Sequence, residues 1–393
     1  MRILYHHRTQ GRHVEGVHIR GIVHALRELG HEVSVISFPG ADPEREPAPA
    51  ASAKHGRLHN LIARMPGVLF ELLELAYNLV TLARLSSAIR RLRPQLIYER
   101  YSLFLFATVW LARRHGIPLV LEINDSALVR RVRPLYLKPL ARRIEGWCLR
   151  RATGLVFISS YFRDQAEAAH GAIAPSVISP NAADLSRFDP RRFDRERLRA
   201  QHGLAGRVVC GHIGVFAHWH GVDGFVDAIA ERLREQPRLA LVLVGDGVTL
   251  PAVRTQVEAR GLGERVLLPG RVPHEEIPAW IACMDYAVLP DSNLYGSPMK
   301  LFELMAMGVA VVAPDYAPVA EVIADGRTGW LFPHGDAAAC VRRVLDLAEC
   351  DEERQRIGRA ARHYVMRERQ WRNNAEQLLS LVPMQGEAPC LAC

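Results

Sequence analysis

Lysine is almost missing from this chain of 393 residues: only Lys54, Lys138 and Lys300 stand among its 50 basic side chains, and the rest are arginine. Cysteine is scarce as well. Seven cysteines, an odd number and mostly scattered, exclude a disulfide framework and point to a reducing compartment. The terminal pair Cys390 and Cys393 supplies only half of a four-ligand zinc site. The longest apolar segment, residues 68–85, carries Glu71, Glu74 and Arg84, which excludes a membrane span. Aromatic residues are not interleaved with the basic ones and no zinc-finger or RNP-type pattern occurs, so nucleic acid is not an expected partner. Residues 1–7 run straight into strand-like sequence without the basic start, apolar stretch and cleavage site of a leader, and a cytoplasmic location is expected.

What is present is a globular composition, 49% hydrophobic and 23% charged, which excludes disorder, and enough length for two domains, three at most. Residues 3–7 read as a buried strand, 8–16 as a loop, 17–29 as a helix closed by Gly30, and 33–37 as the next strand. This is a βαβ unit and implies a parallel sheet. Residues 39–53, rich in Pro and Ala, read as a mobile loop. Residues 96–98, 119–123, 155–158 and 176–178 continue the sheet. The alternation restarts with strand-like runs at 208–213, 239–244, 266–268, 286–289 and 310–312. The fold class is therefore α/β, with two doubly wound Rossmann-like halves meeting near Pro190, a first domain over 1–188 and a second over 189–361. Ligands of such sheets sit beyond the carboxyl ends of the strands.

Charge divides unevenly between these halves. Residues 1–192 hold 28 basic and 16 acidic side chains, a net +12, whereas 193–393 hold 22 and 26, a net −4. The first half thus expects an anionic partner, a lipid surface or a phosphorylated substrate. The stretch 130–151, with Arg130, Arg131, Arg133, Lys138, Arg142, Arg143, Arg150 and Arg151, carries much of this charge; Pro134 and Pro139 interrupt it, and a solvated basic surface stays open as a reading. In the 68–85 segment Glu71, Glu74, Asn78, Thr81 and Arg84 recur every three or four residues as one narrow polar stripe. The pattern predicts a helix buried on most sides, with docking on a membrane or partner left open.

The most informative stretch is YGSPMKLFE at 295–303. Ser297 suits an N-cap and Pro298 the first helical position. A helix amino end offers unpaired N–H groups and partial positive charge, a favourable place for phosphate. Lys300 in the first turn and Glu303 three residues on share a face. One cation for a diphosphate and one carboxylate for two ribose hydroxyls make a compact nucleotide site; an ordinary capped helix with a surface Lys–Glu pair is the plainer alternative.

Residues 295–314, YGSPMKLFELMAMGVAVVAP, resemble the donor-binding helix of the family 4 glycosyltransferases, which adopt the GT-B fold of two Rossmann-like domains facing a cleft. The similarity runs along most of the chain. SPNAAD at 179–184 resembles the interdomain segment, 241–247 the strand and loop ending at Gly245, PGRV at 269–272 the base-recognising loop with Arg271 and Val272, and 318–332 the segment carrying Glu321, Thr328 and Gly329. The resemblance implies that Glu303 holds the ribose and Lys300 lies by the leaving diphosphate, with Tyr295, Gly296, Ser297 and Met299 lining the donor. Gly11 and Gly16 occupy the place of the family's first glycine loop, where backbone N–H groups approach the diphosphate. It also implies that a carboxy-terminal helix, about 362–383, packs back on the first domain, and that no metal or other cofactor is needed.

Three departures bear on the site. Many family members carry a glutamate eight residues before the position of Glu303, where Tyr295 stands here. The segment 214–221 has Val215 and His220 in place of the usual Arg and Lys, so His220 or His218 becomes a candidate donor contact; with His212 the pair also raises a metal reading. Asn124 precedes Asp125 where the family often has histidine, and Asn124 can hydrogen-bond a sugar but cannot act as a base. The expected activity is transfer of a sugar from a nucleoside-diphosphate sugar to a glycan or lipid-linked, anionic acceptor, with retention of configuration. The expected location is the cytoplasm, with the inner membrane face as a possible peripheral site. An epimerase on the same scaffold and a non-catalytic nucleotide-sugar-binding protein are the alternatives.

Overall fold

The computed structural model describes residues 1–9, 11, 14–37, 65–129 and 133–383. The loop expected at 39–53, Arg130, Arg131 and the pair Cys390 and Cys393 lie outside the described residues. Two compact units emerge: Met1–Pro180 with Trp371–Cys393, and Asn181–Gln370.

The first unit holds β1 (Arg2–His6), β2 (Glu32–Ile36), β3 (Leu96–Arg100), β4 (Leu119–Ile123), β5 (Gly154–Phe157) and β6 (Ser176–Ile178) in the order β2-β1-β3-β4-β5-β6. The second holds β7 (Val208–Ile213), β8 (Leu239–Val244), β9 (Val266–Gly270), β10 (Tyr286–Val288), β11 (Val311–Pro314) and β12 (Trp330–Phe332) in the order β12-β11-β10-β7-β8-β9. Neighbouring strands are parallel throughout. Parallel strands are covered on both faces, which is why they read as continuous apolar runs. Along β8, Leu239, Leu241 and Leu243 pack into one apolar layer while Ala240, Val242 and Val244 pack into the other. Each order reverses once, between β1 and β3 and between β7 and β10. Those reversals are where such sheets hold ligands.

The division falls after Pro180, earlier than residue 188, because the intervening segment folds into the second unit. Asn181 bonds Ser297, the Ala183 N–H donates to the Arg369 carbonyl at 3.0 Å, and Phe188 is buried in an apolar layer of the second sheet. The chain end also divides differently from the expected single helix at 362–383. Helix Asp351–Glu368 stays with the second unit, and only Trp371–Leu379 belongs to the first, where Trp371 lies against Gly21 and edge-on to His18 at 4.8 Å.

Helix Gly67–Leu92 corrects the expectation of a helix buried on most sides. Its polar stripe is the buried one. Glu71 accepts the Tyr136 and Leu137 N–H groups, both at 2.7 Å. Asn78 donates to the Leu75 and Phe104 carbonyls at 2.8 Å and accepts the Phe106 and Ala107 N–H groups at 2.9 Å. The stripe satisfies loop backbone that would otherwise be buried unpaired, so the leucines face outward.

Candidate functional site

In the second unit the reversal between β7 and β10 gathers the residues of interest. The chain leaves β10, crosses 289–298 and enters helix Met299–Ala306, whose Leu301, Phe302, Leu304 and Met305 are buried in the core. That anchoring fixes where Lys300 and Glu303 sit. The Lys300 stem is half-buried and its Nζ is shut from solvent against Gly214, at the end of β7. A Cβ on Gly214 would fall 2.5 Å from that nitrogen, and its φ of +138° is a left-handed conformation that a side chain resists. Glycine is required twice over.

Lys300 Nζ has no hydrogen-bond partner, and neither do the nearby His220 Nδ1 and His212 Nε2. Buried polar atoms are almost always paired, so an orphaned amine with two orphaned imidazole nitrogens near it marks a candidate ligand site, and the donors of the amine suit an anion. Burial drives the Lys300 ammonium down to about 7, with Glu303 pulling it partly back. Burial, and then the Lys300 charge, push His220 down to about 4 and His212 well below its ordinary value. His212 Nδ1 lies 3.0 Å from the Val288 carbonyl, which can only accept, so this nitrogen carries the hydrogen. At neutral pH both imidazoles are uncharged, and positive charge here comes from Lys300.

The amino end of the helix differs in detail from the expected cap. Pro298 occupies the N-cap position and no side chain caps the helix. The Ser297 hydroxyl instead accepts the Asn181 N–H at 3.0 Å, and Asn181 Nδ2 donates to the Ser297 carbonyl at 2.6 Å. Its hydroxyl is held by the linker, and the first turn keeps N–H groups for a ligand. The Gly296 N–H donates to Asn293 Oδ1 at 2.5 Å and the Tyr295 N–H to the same oxygen at 3.3 Å, which fixes the approach to the helix; Met299 is buried.

Glu303 is nearly buried and its Oε1 lies 3.2 Å from His274 Nε2. His274 belongs to the loop after β9 that also carries exposed Arg271 and half-buried Val272. Sequence reasoning singled out that loop but not this histidine; its place three residues after Arg271 was the available signal. The Gly245 N–H donates to the Gly270 carbonyl at 2.9 Å, and a Cβ on Gly245 would collide with the Gly214 carbonyl, so the loops after β7, β8 and β9 meet at this point. Val215 and His218 are exposed. Among the described residues no three His, Cys, Asp or Glu side chains converge as a metal site would need.

In the first unit Gly11 and Gly16 are in contact: a Cβ on Gly16 would lie 2.0 Å from the Gly11 carbonyl, so Gly11 sits against the first turn of helix Val14–Glu28. Asn124 Nδ2 donates to Glu122 Oε1, and Asp125 Oδ1 accepts the Ser126 N–H at 2.9 Å. Glu122 is the centre of a polar cluster that sequence reasoning missed, because it lies within an apolar strand. The Tyr98 hydroxyl donates to it, Arg100 Nη1 to its Oε1 at 2.7 Å, and His18 Nε2 lies 3.1 Å from Oε1. Burial alone would raise this carboxyl, but His18 and Arg100 hold it well below the usual carboxylate range.

Two Rossmann-like units, each a six-stranded parallel sheet with one reversal of strand order, are the architecture of the GT-B class. The family model for glycosyl transferases group 1 matches residues 194–364, and that for the glycosyl transferase 4-like domain matches 15–182. The chain belongs to this glycosyltransferase family. It is 30% identical over 240 residues to the GDP-mannose-dependent alpha-(1-6)-phosphatidylinositol monomannoside mannosyltransferase of Mycolicibacterium smegmatis, spanning 60% of this chain and 63% of the relative's length. It is 27% identical over 357 residues to the 2-deoxystreptamine glucosyltransferase of Streptomyces kanamyceticus, spanning 84% of this chain and 89% of that one. The crystal structure of HepE from Anabaena in complex with UDP superposes with a TM-score of 0.72 at 18% identity, over 97% of this chain and 99% of that one, a likeness of fold.

Proposed function

We propose that the chain transfers a hexose from a nucleoside-diphosphate sugar to a glycan or lipid-linked acceptor. One observation carries the reading: the orphaned Lys300 Nζ, walled by Gly214, His212 and His220 beside an uncapped helix end. In this reading Lys300 and the first-turn N–H groups hold the diphosphate, and Glu303, steadied by His274, takes the ribose hydroxyls. Arg271 and Val272 border the base, and Tyr295 to Met299 border the sugar. Asn124 and Asp125 serve the acceptor side.

Breaking the sugar–phosphate bond builds negative charge on the leaving oxygen. A pre-aimed cation stabilises that charge, and losing one such donor costs on the order of 3 kcal/mol, about a hundredfold in rate. No carboxylate is assigned as nucleophile; the departing phosphate itself takes the acceptor proton, and configuration is retained. The chain's similarity to a transferase named for GDP-mannose and phosphatidylinositol monomannoside supports a lipid-linked acceptor; in this reading the chain works in the cytoplasm, at the inner membrane face. The test is acceptor-dependent release of nucleoside diphosphate, after a thermal-shift panel of UDP, GDP and ADP has chosen the donor. Lys300→Ala and Glu303→Ala should fold normally and lose most transfer; full turnover by Lys300→Ala would overturn the reading, as would donor isomerisation without acceptor.

A further inference from the structure

Helix Gly67–Leu92 is inverted relative to an ordinary surface helix. Leu79 is 71% exposed, and Leu69, Leu72 and Leu73 are each close to half exposed. The helix cannot roll to hide them. Turning it would strip Glu71 of two backbone N–H groups and Asn78 of its three hydrogen bonds to residues 104–107, leaving those groups buried and unpaired. The apolar stripe is therefore held outward by polar bonds on its far side.

Its surroundings have one chemistry. From β2 to β5 the chain always moves the same way across the sheet, so right-handed crossovers place helices Gly67–Leu92, Ala107–His115 and Lys138–Arg151 on one face. Aromatic side chains flank the stripe: Tyr136, 57% exposed and against Gly67, and Trp110, 46% exposed beneath Arg114. Arg133 lies over Phe70 at 4.2 Å. Between residues 65 and 151, Glu71, Glu99, Glu122 and Glu145 are buried, Glu74 is paired with Arg8, and half-buried Asp125 accepts the Ser126 N–H. Every exposed charged side chain on these three helices is an arginine or a lysine, among them Arg113, Arg114, Lys138 and Arg142. A cavity of about 380 Å³ lined by Leu128, Pro134, Leu135, Lys138 and Arg142 opens beside them, with room for a phosphate headgroup. None of the described helices is long and apolar enough to cross a membrane.

We propose that this face docks on an anionic lipid bilayer, the leucines entering the acyl boundary while the aromatic and basic side chains lie among the headgroups. Leucines between aromatic rings and arginines are the composition of interfacial helices, and the one-signed charge matches anionic lipid. The proposal supplies the membrane that the lipid-linked acceptor above implies, and rests on that reading for its purpose.

Cosedimentation of the full chain with phosphatidylcholine vesicles, with and without phosphatidylglycerol, tests it. Wild type should bind the phosphatidylglycerol vesicles at low salt and release at high salt. Joint Leu72→Gln, Leu73→Gln and Leu79→Gln should lower binding by about tenfold or more, since most of the buried apolar area is lost. Leu79→Gln alone serves should the triple variant not fold. Arg113→Gln with Arg114→Gln should weaken binding and flatten its salt dependence. No binding to any vesicle, equal binding to pure phosphatidylcholine, or full binding by the leucine variants would overturn the proposal. So would a dimer that the leucine substitutions split, which would assign the face to a second copy. The nucleotide-induced thermal shift, measured on the same samples, reports separately on the donor site and should be unchanged in all these variants.

Discussion

Replacing Lys300 by methionine should make the empty protein more stable while removing its function. The lysine is held at a pKa of about 7 by burial, against an ordinary 10.5. Between those values the unfolded chain binds a proton that the folded chain does not, so folded stability rises with pH across the window and the penalty is complete below it. A gap of about 3.5, at 1.36 kcal/mol per pKa unit, amounts to roughly 4–5 kcal/mol as an upper bound. Methionine occupies similar space without charge. Even half of the penalty recovered, about 2 kcal/mol, would raise the unfolding midpoint of a unit this size by roughly 4–8 °C at pH 7. The gain should shrink steadily as pH rises from about 7 toward 10.5, above which the lysine is neutral in both the folded and the unfolded state. The lost charge-assisted bonds, about 1.5–3 kcal/mol, should weaken nucleoside-diphosphate binding ten- to hundredfold. Differential scanning fluorimetry of both proteins from pH 6 to 9.5, with and without nucleotide, reads all three effects. A Lys300→Met midpoint at or below wild type at pH 7, or an undiminished nucleotide shift, would refute the assignment of an anion cradle.

In the native protein nucleotide affinity should fall as pH rises above about 7, by up to about tenfold per pH unit, because Lys300 loses its proton. Titration calorimetry should find that slope absent in Lys300→Met, since His220, held at about 4, stays neutral over the same range. Glu303→Gln should keep the fold and lower nucleotide affinity roughly tenfold or more, the cost of one charge-assisted bond to a ribose hydroxyl, while changing affinity for inorganic pyrophosphate much less, through the altered protonation of Lys300 alone. Gly214→Ala should impair binding about as much as Lys300→Met, because the new carbon occupies the position of the amine, but should lower the midpoint rather than raise it. Gly21→Ala, whose added carbon meets the Trp371 ring at about 2.4 Å, should destabilise the first unit by about 1–3 kcal/mol, read by urea unfolding, with nucleotide binding intact.

The architecture was legible because it rests on local regularities. Runs such as 239–244 are apolar on both parities, and only a strand covered on both faces needs that, so two parallel sheets followed from the spacing of the runs. The adjacency of Lys300 and Glu303 was equally local, a consequence of helical periodicity. The misreadings have a common origin. A polar stripe every three or four residues predicts an amphipathic helix but not which face turns inward. On helix Gly67–Leu92 that was decided by backbone groups of residues 104–107 and 136–137, which need acceptors and donors. Ser297 looked like a cap until Asn181, 116 residues away in sequence, took its hydroxyl.

From the amino-acid order alone came the two α/β halves, the helix beginning near Pro298, and the residue types suited to a nucleotide, since each depends on periodicities spanning a few positions. The third dimension decided what those residues experience: the burial that halves the charge of Lys300, the orphaned nitrogens of His212 and His220, the carboxylate cluster around Glu122, and leucines turned to the outside. Desolvation and hydrogen-bond satisfaction are properties of whatever packs around a group, and here those neighbours come from strands and loops tens of residues distant.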